Sequence, residues 1–312
     1  MEKEFLGKIK TITIIGVGLI GGSIGLALRR RAKSPAFGGI NSKQRVIGVG
    51  RHKNKLVKAK KLGAVDEWTT NFEKGVRDAD LVVLATPVKT IVPIIKKILP
   101  HLKPEAIITD VGSVKSPIVS GFEKLFPLVP RPSSLSPAFI GGHPLAGSEK
   151  SGIDYAQSNL FRGAVCFLTP TKRTSLNALE TVHKFWELLG AKVLILSPGL
   201  HDRLLARSSH LPHLLAAGLL NLISENRSKY SSEVLGPSFR DLTRIASSEP
   251  QIWTEISLSN RKEVITALSQ FRNILLEIEN LLRKRDKKRL KNFFQKAKDY
   301  RKKIFFARGE SA

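Results

Sequence analysis

Short runs rich in β-branched residues recur through the first two-thirds of the chain: TITII at 11–15, RVIGV at 45–49, LVVLA at 81–85, AIITD at 106–110, AVCFLT at 164–169 and KVLIL at 192–196. Between them the apolar positions fall at helical intervals of three and four. Strands alternating with helices predict an α/β chain with a doubly wound parallel sheet covered on both faces. After Ser197-Pro198-Gly199 the pattern changes, and from His201 onward only helical spacing is found, as in HLPHLLAAGLLNLIS and EVITALSQFRNILLEIENLLRK. The expected organisation is a sheet domain over 1–197 followed by an all-helical domain over 198–312.

Within the helical part, Val264, Leu268, Phe271, Leu275, Ile278 and Leu282 keep near-heptad spacing. Such a stripe packs either inside its own domain or against a second subunit, and it supports an expected homodimer through the helical domain. PLVPRPSSLSP, at 127–137, reads as a proline-rich surface loop.

Composition changes this picture little. The apolar fraction of 42% and charged fraction of 25% are those of a soluble globular protein. A single cysteine, Cys166, rules out an internal disulfide, and no metal-ligand spacing is present, so no metal site is expected. The lysines at 3, 8 and 10 before an apolar run resemble a secretory signal, but that run is punctuated by glycines and ends in three arginines. No uninterrupted apolar stretch reaches membrane-spanning length. The expected location is the cytoplasm, with no membrane association.

Charge asks for more. The formal net charge is +26, and Arg283–Lys303 alone holds twelve Lys/Arg against two Asp. Basic segments can bind nucleic acid. Here, however, Leu290, Phe293, Phe294 and Ala297 recur at helical spacing, which describes a terminal amphipathic helix with a solvated basic face. Nucleic acid is therefore not the expected partner, while a positive field would help to steer an anionic substrate.

The first strand runs into GVGLIGGS, which sets Gly16, Gly18 and Gly21 as G-x-G-x-x-G at the start of a helix. The first glycine permits the tight turn, the second lets a pyrophosphate approach the backbone, and the third allows close helix–strand packing. The free N–H groups of the helix start then hold phosphate oxygens. This is the signature of a Rossmann-like, dinucleotide-binding domain. An acid at the end of the second strand would bind the ribose 2′-hydroxyl of NAD. RVIGV is followed instead by Gly50, Arg51, His52 and Lys53. Arg51 can pair with a 2′-phosphate or stack on the adenine, so the cofactor is NAD(P)+, with a lean to NADP+ or dual use.

TDVGSVK places Asp110, Gly112, Ser113 and Lys115 at another strand's end, where ligands sit in open α/β sheets. His143, in a glycine-rich loop GGHP after the next apolar segment, should emerge at the same edge. A neutral imidazole there can take the proton of a substrate hydroxyl while hydride leaves the same carbon, with Ser113 holding the ring.

The segments GVGLIGGS, ATPV (85–88), TDVGSVK (109–115), GGHPLAGSEKSG (141–152), SHLPH (209–213) and GPSFRDLTRIASSEPQIW (236–253) together resemble the prephenate/arogenate (cyclohexadienyl) dehydrogenase family of tyrosine biosynthesis. The resemblance runs from about Lys10 to about Leu282. It implies NAD(P)-dependent oxidative decarboxylation of prephenate or arogenate. It also implies His143 as proton acceptor beside Ser113, Arg244 on a substrate carboxylate, His210 and His213 in the pocket, and Trp253 on its wall. Leu19, Ile20, Thr86, Pro87 and Asp110 are then expected to flank the cofactor with the three glycines and Arg51. Glu149 and Asp241 would form ion pairs that position Arg244 or gate entry. Taken alone, His210, His213 and Trp253 also read as core residues, and Lys115 and Lys150 either as solvated residues or as a source of positive potential for the substrate.

Three features depart from the family pattern: the proline-rich loop, the missing acid after the second strand, and a basic tail too short for a regulatory domain of ordinary size. Two other readings stay open on sequence alone. One is a β-hydroxyacid-type dehydrogenase; the other is a non-enzymatic dinucleotide-sensing or nucleic-acid-binding protein on the same fold.

Overall fold

The computed structural model describes residues 9–32, 44–125, 137–148, 150–225 and 235–306. Glu149 and nearly all of the proline-rich segment lie outside them. Eight strands form one sheet: β1 (Thr11–Ile15), β2 (Arg45–Val49), β3 (Glu67–Thr69), β4 (Leu81–Leu84), β5 (Ile107–Asp110), β6 (Ala138–Pro144), β7 (Val165–Thr169) and β8 (Lys192–Ile195). Their order is β3-β2-β1-β4-β5-β6-β7-β8. Every neighbouring pair is parallel except β6 and β7.

The central strands are apolar throughout because both faces are covered. All five residues of β1 and all four of β4 are buried. On one face lie α1 (Leu19–Ala32) and α6 (Leu176–Leu188), whose Val182, Phe185 and Trp186 join Ile12, Ile14, Leu81 and Val83 in one core cluster. On the other, α4 (Val88–Ile98) and α5 (Ser116–Glu123) bring Ile91, Ile95 and Ile118 against Ile15, Leu84 and Ile108. Two short helices, α2 (Lys53–Lys61) and α3 (Phe72–Val76), connect the strands at the β3 edge.

Two strands escape the sequence pattern. β3 is only three residues long. β6 reads AFIGGHP, and two glycines with a proline look like a loop. The glycines are there for space. A Cβ on Gly142 would stand 2.6 Å from the Asp110 carbonyl oxygen, and one on Gly141 2.4 Å from Thr169 Oγ1. His143 therefore sits in a strand, paired across the antiparallel β6–β7 ladder with Phe167, and not in the expected loop.

Compactness divides the chain into two units, residues 1–261 and 262–312. The secondary structure changes near Pro198, as expected, but the helices that follow stay with the sheet. α7 (Pro198–Leu205) packs on α5 and β7, and α10 (Pro250–Ser259) packs on α4. Between them lie a π-helical turn (Ala206–His210), α8 (Leu211–Ser224), α9 (Pro237–Thr243) and a 3₁₀ turn (Arg244–Ser247). The second unit holds α11 (Arg261–Arg283, from its second residue) and α12 (Lys287–Phe306). Among the described residues, no helix is long and apolar enough to cross a membrane.

Candidate active site

β1 connects to β2 on one side and, in space, to β4 on the other, which opens a crevice at the carboxyl ends of β1 and β4. Gly16 lies there with φ +95, a conformation that side chains resist, and its missing Cβ would stand 2.3 Å from Ala85 O and 2.8 Å from Thr86 Cγ2. Thr86 and Pro87 thus face the glycine turn, and Thr86 is tied to Thr90 by a 3.0 Å hydroxyl–hydroxyl hydrogen bond. A Cβ on Gly21 would stand 2.1 Å from Gly16 O, so this residue sets the closeness of α1 to the turn. Gly18 differs: nothing lies within 4 Å of where its Cβ would be. A cradle with open space at the middle glycine and unsatisfied N–H groups at the following helix start, Leu19 and Ile20 among them, suits a dinucleotide diphosphate. Arg51 is exposed just beyond β2.

These glycines give separable outcomes. Gly18→Ala should fold with an unfolding midpoint close to the parent's and bind dinucleotide less tightly. Gly21→Ala should lower the midpoint itself, because the added methyl meets backbone. Thermal unfolding with and without NAD(P)+ distinguishes the two.

A second crevice group lies around β5 and β6. Lys115 and Asp110 are both fully buried, and Lys115 Nζ bonds Asp110 Oδ2 in a very short contact and donates to Gly142 O at 2.6 Å. Asp110 also accepts from Gly112 N at 2.8 Å and Gly142 N at 3.1 Å. Burial pushes the Asp110 carboxyl up and the Lys115 ammonium down, each opposed by the other's charge. Both Asp110 oxygens are engaged by Lys115, Gly112 and Gly142, so the residue braces the scaffold at the end of β5. Lys115, which sequence left as either a solvated residue or a source of positive potential, is buried.

His143 is buried, and its Nδ1 lies 2.8 Å from Nε2 of His201. His201 Nδ1 lies 2.8 Å from Asp202 Oδ1. Asp202 in turn accepts from the backbone N–H of Lys115 at 2.7 Å and of Ser116 at 2.8 Å, so that α7 supplies the missing cap of α5. Burial alone would raise the Asp202 carboxyl; the hydrogen bonds from His201, Lys115 and Ser116 outweigh it and hold the group below the ordinary carboxylate range. Burial, then the neighbouring His201, Lys115 and His210, holds His143 well below an ordinary histidine. The ring is therefore neutral at neutral pH. Ser113, half-buried in the β5–α5 loop, was expected to hold this ring; the partner of Nδ1 is His201.

The other expected residues form a continuous line with this group. Asn260 Nδ2 donates to Asp202 O at 2.8 Å and to His210 Nδ1 at 3.2 Å. His210 is buried, its Nε2 has no partner among the described residues, and burial pushes its pKa down to about 4. With Nδ1 accepting, Nε2 carries the hydrogen. His213 stacks on Trp253 with ring centroids 3.3 Å apart, and its Nδ1 donates to Ser209 O at 3.0 Å. Burial holds His213 down against its hydrogen bond to Ser209, and the guanidinium charge of Arg244 adds to the lowering. The π turn that presents His210 precedes Pro212, whose ring cannot sit in a regular helix interior without displacing the preceding turn.

Residues 36–195 match the family model described as prephenate dehydrogenase, nucleotide-binding domain, and residues 197–296 match prephenate dehydrogenase, dimerization domain. The chain belongs to the prephenate dehydrogenase family. The prephenate dehydrogenase of Bacillus subtilis is 34% identical over 295 residues, covering 93% of this chain and 75% of the relative. Among solved structures, prephenate dehydrogenase from A. aeolicus in complex with hydroxyphenyl propionate and NAD+ superposes with TM-score 0.84 at 34% identity, covering 95% of this chain and 98% of that one. Synechocystis arogenate dehydrogenase gives TM-score 0.77 at 31% identity, covering 94% and 99%.

Within a prephenate dehydrogenase fold, His201, Asp202 and Asn260 are the polar residues that sequence reasoning passed over. The available signal was an adjacent His-Asp pair in a Ser-capped helix directly after β8. Neighbouring positions on a helix point about 100° apart, so their pairing is not expected from spacing. Glu149, expected in an ion pair that positions Arg244 or gates entry, lies outside the described residues.

Proposed function

We propose that the protein is an NAD(P)-dependent dehydrogenase that oxidatively decarboxylates prephenate, with His143 as the proton acceptor. The observation that carries this reading is a buried, neutral imidazole, bonded at Nδ1 to His201, in the same compact unit as the glycine cradle and the Arg244 guanidinium. Gly16, Gly18, Gly21 and the start of α1 would hold the cofactor diphosphate, with Thr86 and Pro87 across the crevice and Arg51 toward the ribose. NAD(P)+ held there would supply the hydride acceptor.

His143 takes the proton of the ring hydroxyl as its carbon becomes a carbonyl. Loss of carbon dioxide then returns an electron pair to that oxygen, which recovers the proton as the ring becomes aromatic. Aromatisation drives the reaction, so the protein's share is orientation, proton transfer and charge binding. Ser113, half-buried in the β5–α5 loop, is proposed to act beside His143. Arg244 holds a carboxylate of the dianion, because a guanidinium matches carboxylate geometry in a two-pronged bond. His213 and Trp253 wall the side-chain end.

Support for prephenate over arogenate comes from His210. Its Nε2–H is a fixed donor, which suits the keto oxygen of prephenate and opposes the ammonium of arogenate. Mixing the purified protein with each substrate and with NAD+ or NADP+, and following reduced nicotinamide, tests the whole reading. Turnover of neither substrate with either cofactor would remove it, and a higher kcat/KM for arogenate would remove the preference. Arg51, with no acid in its place, favours NADP+ or dual use over strict NAD+. Arg244→Gln should chiefly raise KM, since it removes a charge-assisted contact of about 2–5 kcal/mol. An unchanged KM would dismiss that role.

The substrate half of the protein is taken to begin near residue 198, as the two matched family models divide it. A homodimer is proposed through the helical region. Leu268, Leu275 and Leu282, seven residues apart on α11, are exposed in the single chain and form a stripe that a second copy would cover.

A further inference from the structure

We propose that Asp202 and His201 are positioning residues that fix the tautomer of His143 and thereby make its Nε2 an acceptor. The inference rests on the dehydrogenase reading for its consequence, but its geometry stands apart from it. Asp202 is buried and receives backbone N–H groups on both carboxylate oxygens, from Lys115 on Oδ1 and Ser116 on Oδ2. These are the first amides of α5, whose positive end favours an anion there. An ionised carboxylate only accepts, so the 2.8 Å bond to His201 makes His201 Nδ1 the donor.

A neutral His201 then has a lone pair on Nε2. Facing it at 2.8 Å, His143 Nδ1 must carry the hydrogen. A neutral ring holds one hydrogen, so His143 Nε2 is left bare and able to take a proton. The carboxylate thus acts at one remove: it sets which nitrogen of His143 is basic and steadies the cation that forms there. The same arrangement of acid and imidazole recurs wherever a neutral histidine serves as a base; here a second imidazole is interposed.

Among the described residues, no other titratable group facing these rings takes this role. His143 is also faced by the Lys115 ammonium, by His210 and by Cys166, whose thiol burial keeps protonated. His201 is faced by Asp202, Lys115 and Asp110. Of these groups the Asp202 carboxylate bonds His201 Nδ1, and the Asp202 backbone oxygen also receives Asn260, which holds His210. One aspartate therefore anchors both histidines.

Two measurements test this. The first is nitrogen NMR of the whole protein with labelled histidine. The expected result is His143 and His201 both neutral and both protonated at Nδ1; His143 protonated at Nε2, or His201 carrying two protons, would overturn the proposal. This needs no turnover, so it is decided even if the dehydrogenase reading fails.

The second is kinetic, on substrates the parent turns over. His201→Leu should lower kcat by about 10²-fold or more, the range for a lost general base, with KM little changed. His201→Gln keeps an oxygen that can accept from His143 Nδ1 and should recover much of that loss. Asp202→Asn, if folded by circular dichroism, should lower kcat and move the acidic limb of the kcat/KM profile. Full activity in His201→Leu, or a glutamine variant no better than the leucine one, would overturn the relay whether or not the Asp202 variant folds.

Discussion

Replacing His143 with asparagine should lower turnover by about 10²–10⁴-fold, the span found when a positioned general base is lost, while substrate affinity changes little. Asparagine fits the strand and can keep a hydrogen bond to His201, but it has no nitrogen lone pair of comparable basicity. The effect should therefore fall on kcat, and initial rates across substrate concentration separate the two constants. A sign follows for pH. Burial and the charge of Lys115 hold the His143 imidazolium well below the ordinary histidine range. The base stays unprotonated as pH falls through that range, so kcat/KM should hold to lower pH than a free imidazole would allow. A rate that drops with a midpoint at or above the unperturbed histidine value would contradict this environment.

The second large effect concerns stability. Lys115→Met should cost about 3–5 kcal/mol, the range for removing one partner of a buried ion pair, because Asp110 is left as an uncompensated charge in the core. Both side chains are fully buried, and the ammonium also ties Gly142 of the His143 strand to β5. Chemical denaturation with an unchanged slope would report the loss directly. A double variant, Asp110→Asn with Lys115→Met, should regain part of it, since the charge has then gone from both sides. A single variant as stable as the parent would show that the pair does not hold the strand. A change at Lys115 should also raise the pKa of His143 by removing a cation beside it, so stability and the acidic limb of activity should move together.

The two substitutions divide the site by cause. His143 matters for what its free nitrogen does, and its loss should leave a folded protein. Lys115 touches no substrate in this reading, and its loss should weaken the frame that presents the histidine. Measuring both quantities on both variants keeps a failure of chemistry apart from a failure of folding.

Sequence by itself determined the alternation of apolar runs, and with it a parallel sheet, because strands buried on both faces must be apolar along their length. It determined the glycine cradle too, since only glycine fits Gly16 at φ +95 and Gly21 against the Gly16 carbonyl. Local spacing likewise marked the helical character after Pro198. Tertiary structure decided the rest. β6 is a strand although it contains Gly141, Gly142 and Pro144, because the neighbouring strands β5 and β7 leave no room for larger residues at the two glycines. Lys115 is internal rather than solvated because Asp110 and Gly142, brought close by β5–β6 pairing, satisfy its charge and hydrogen bonds. His201 and Asp202 reach His143 and the start of α5 across 58 and 87 positions of sequence. Hydrogen bonds over such separations obey no local period, so the groups bonded in series to the His143 imidazole became visible only when the chain was folded.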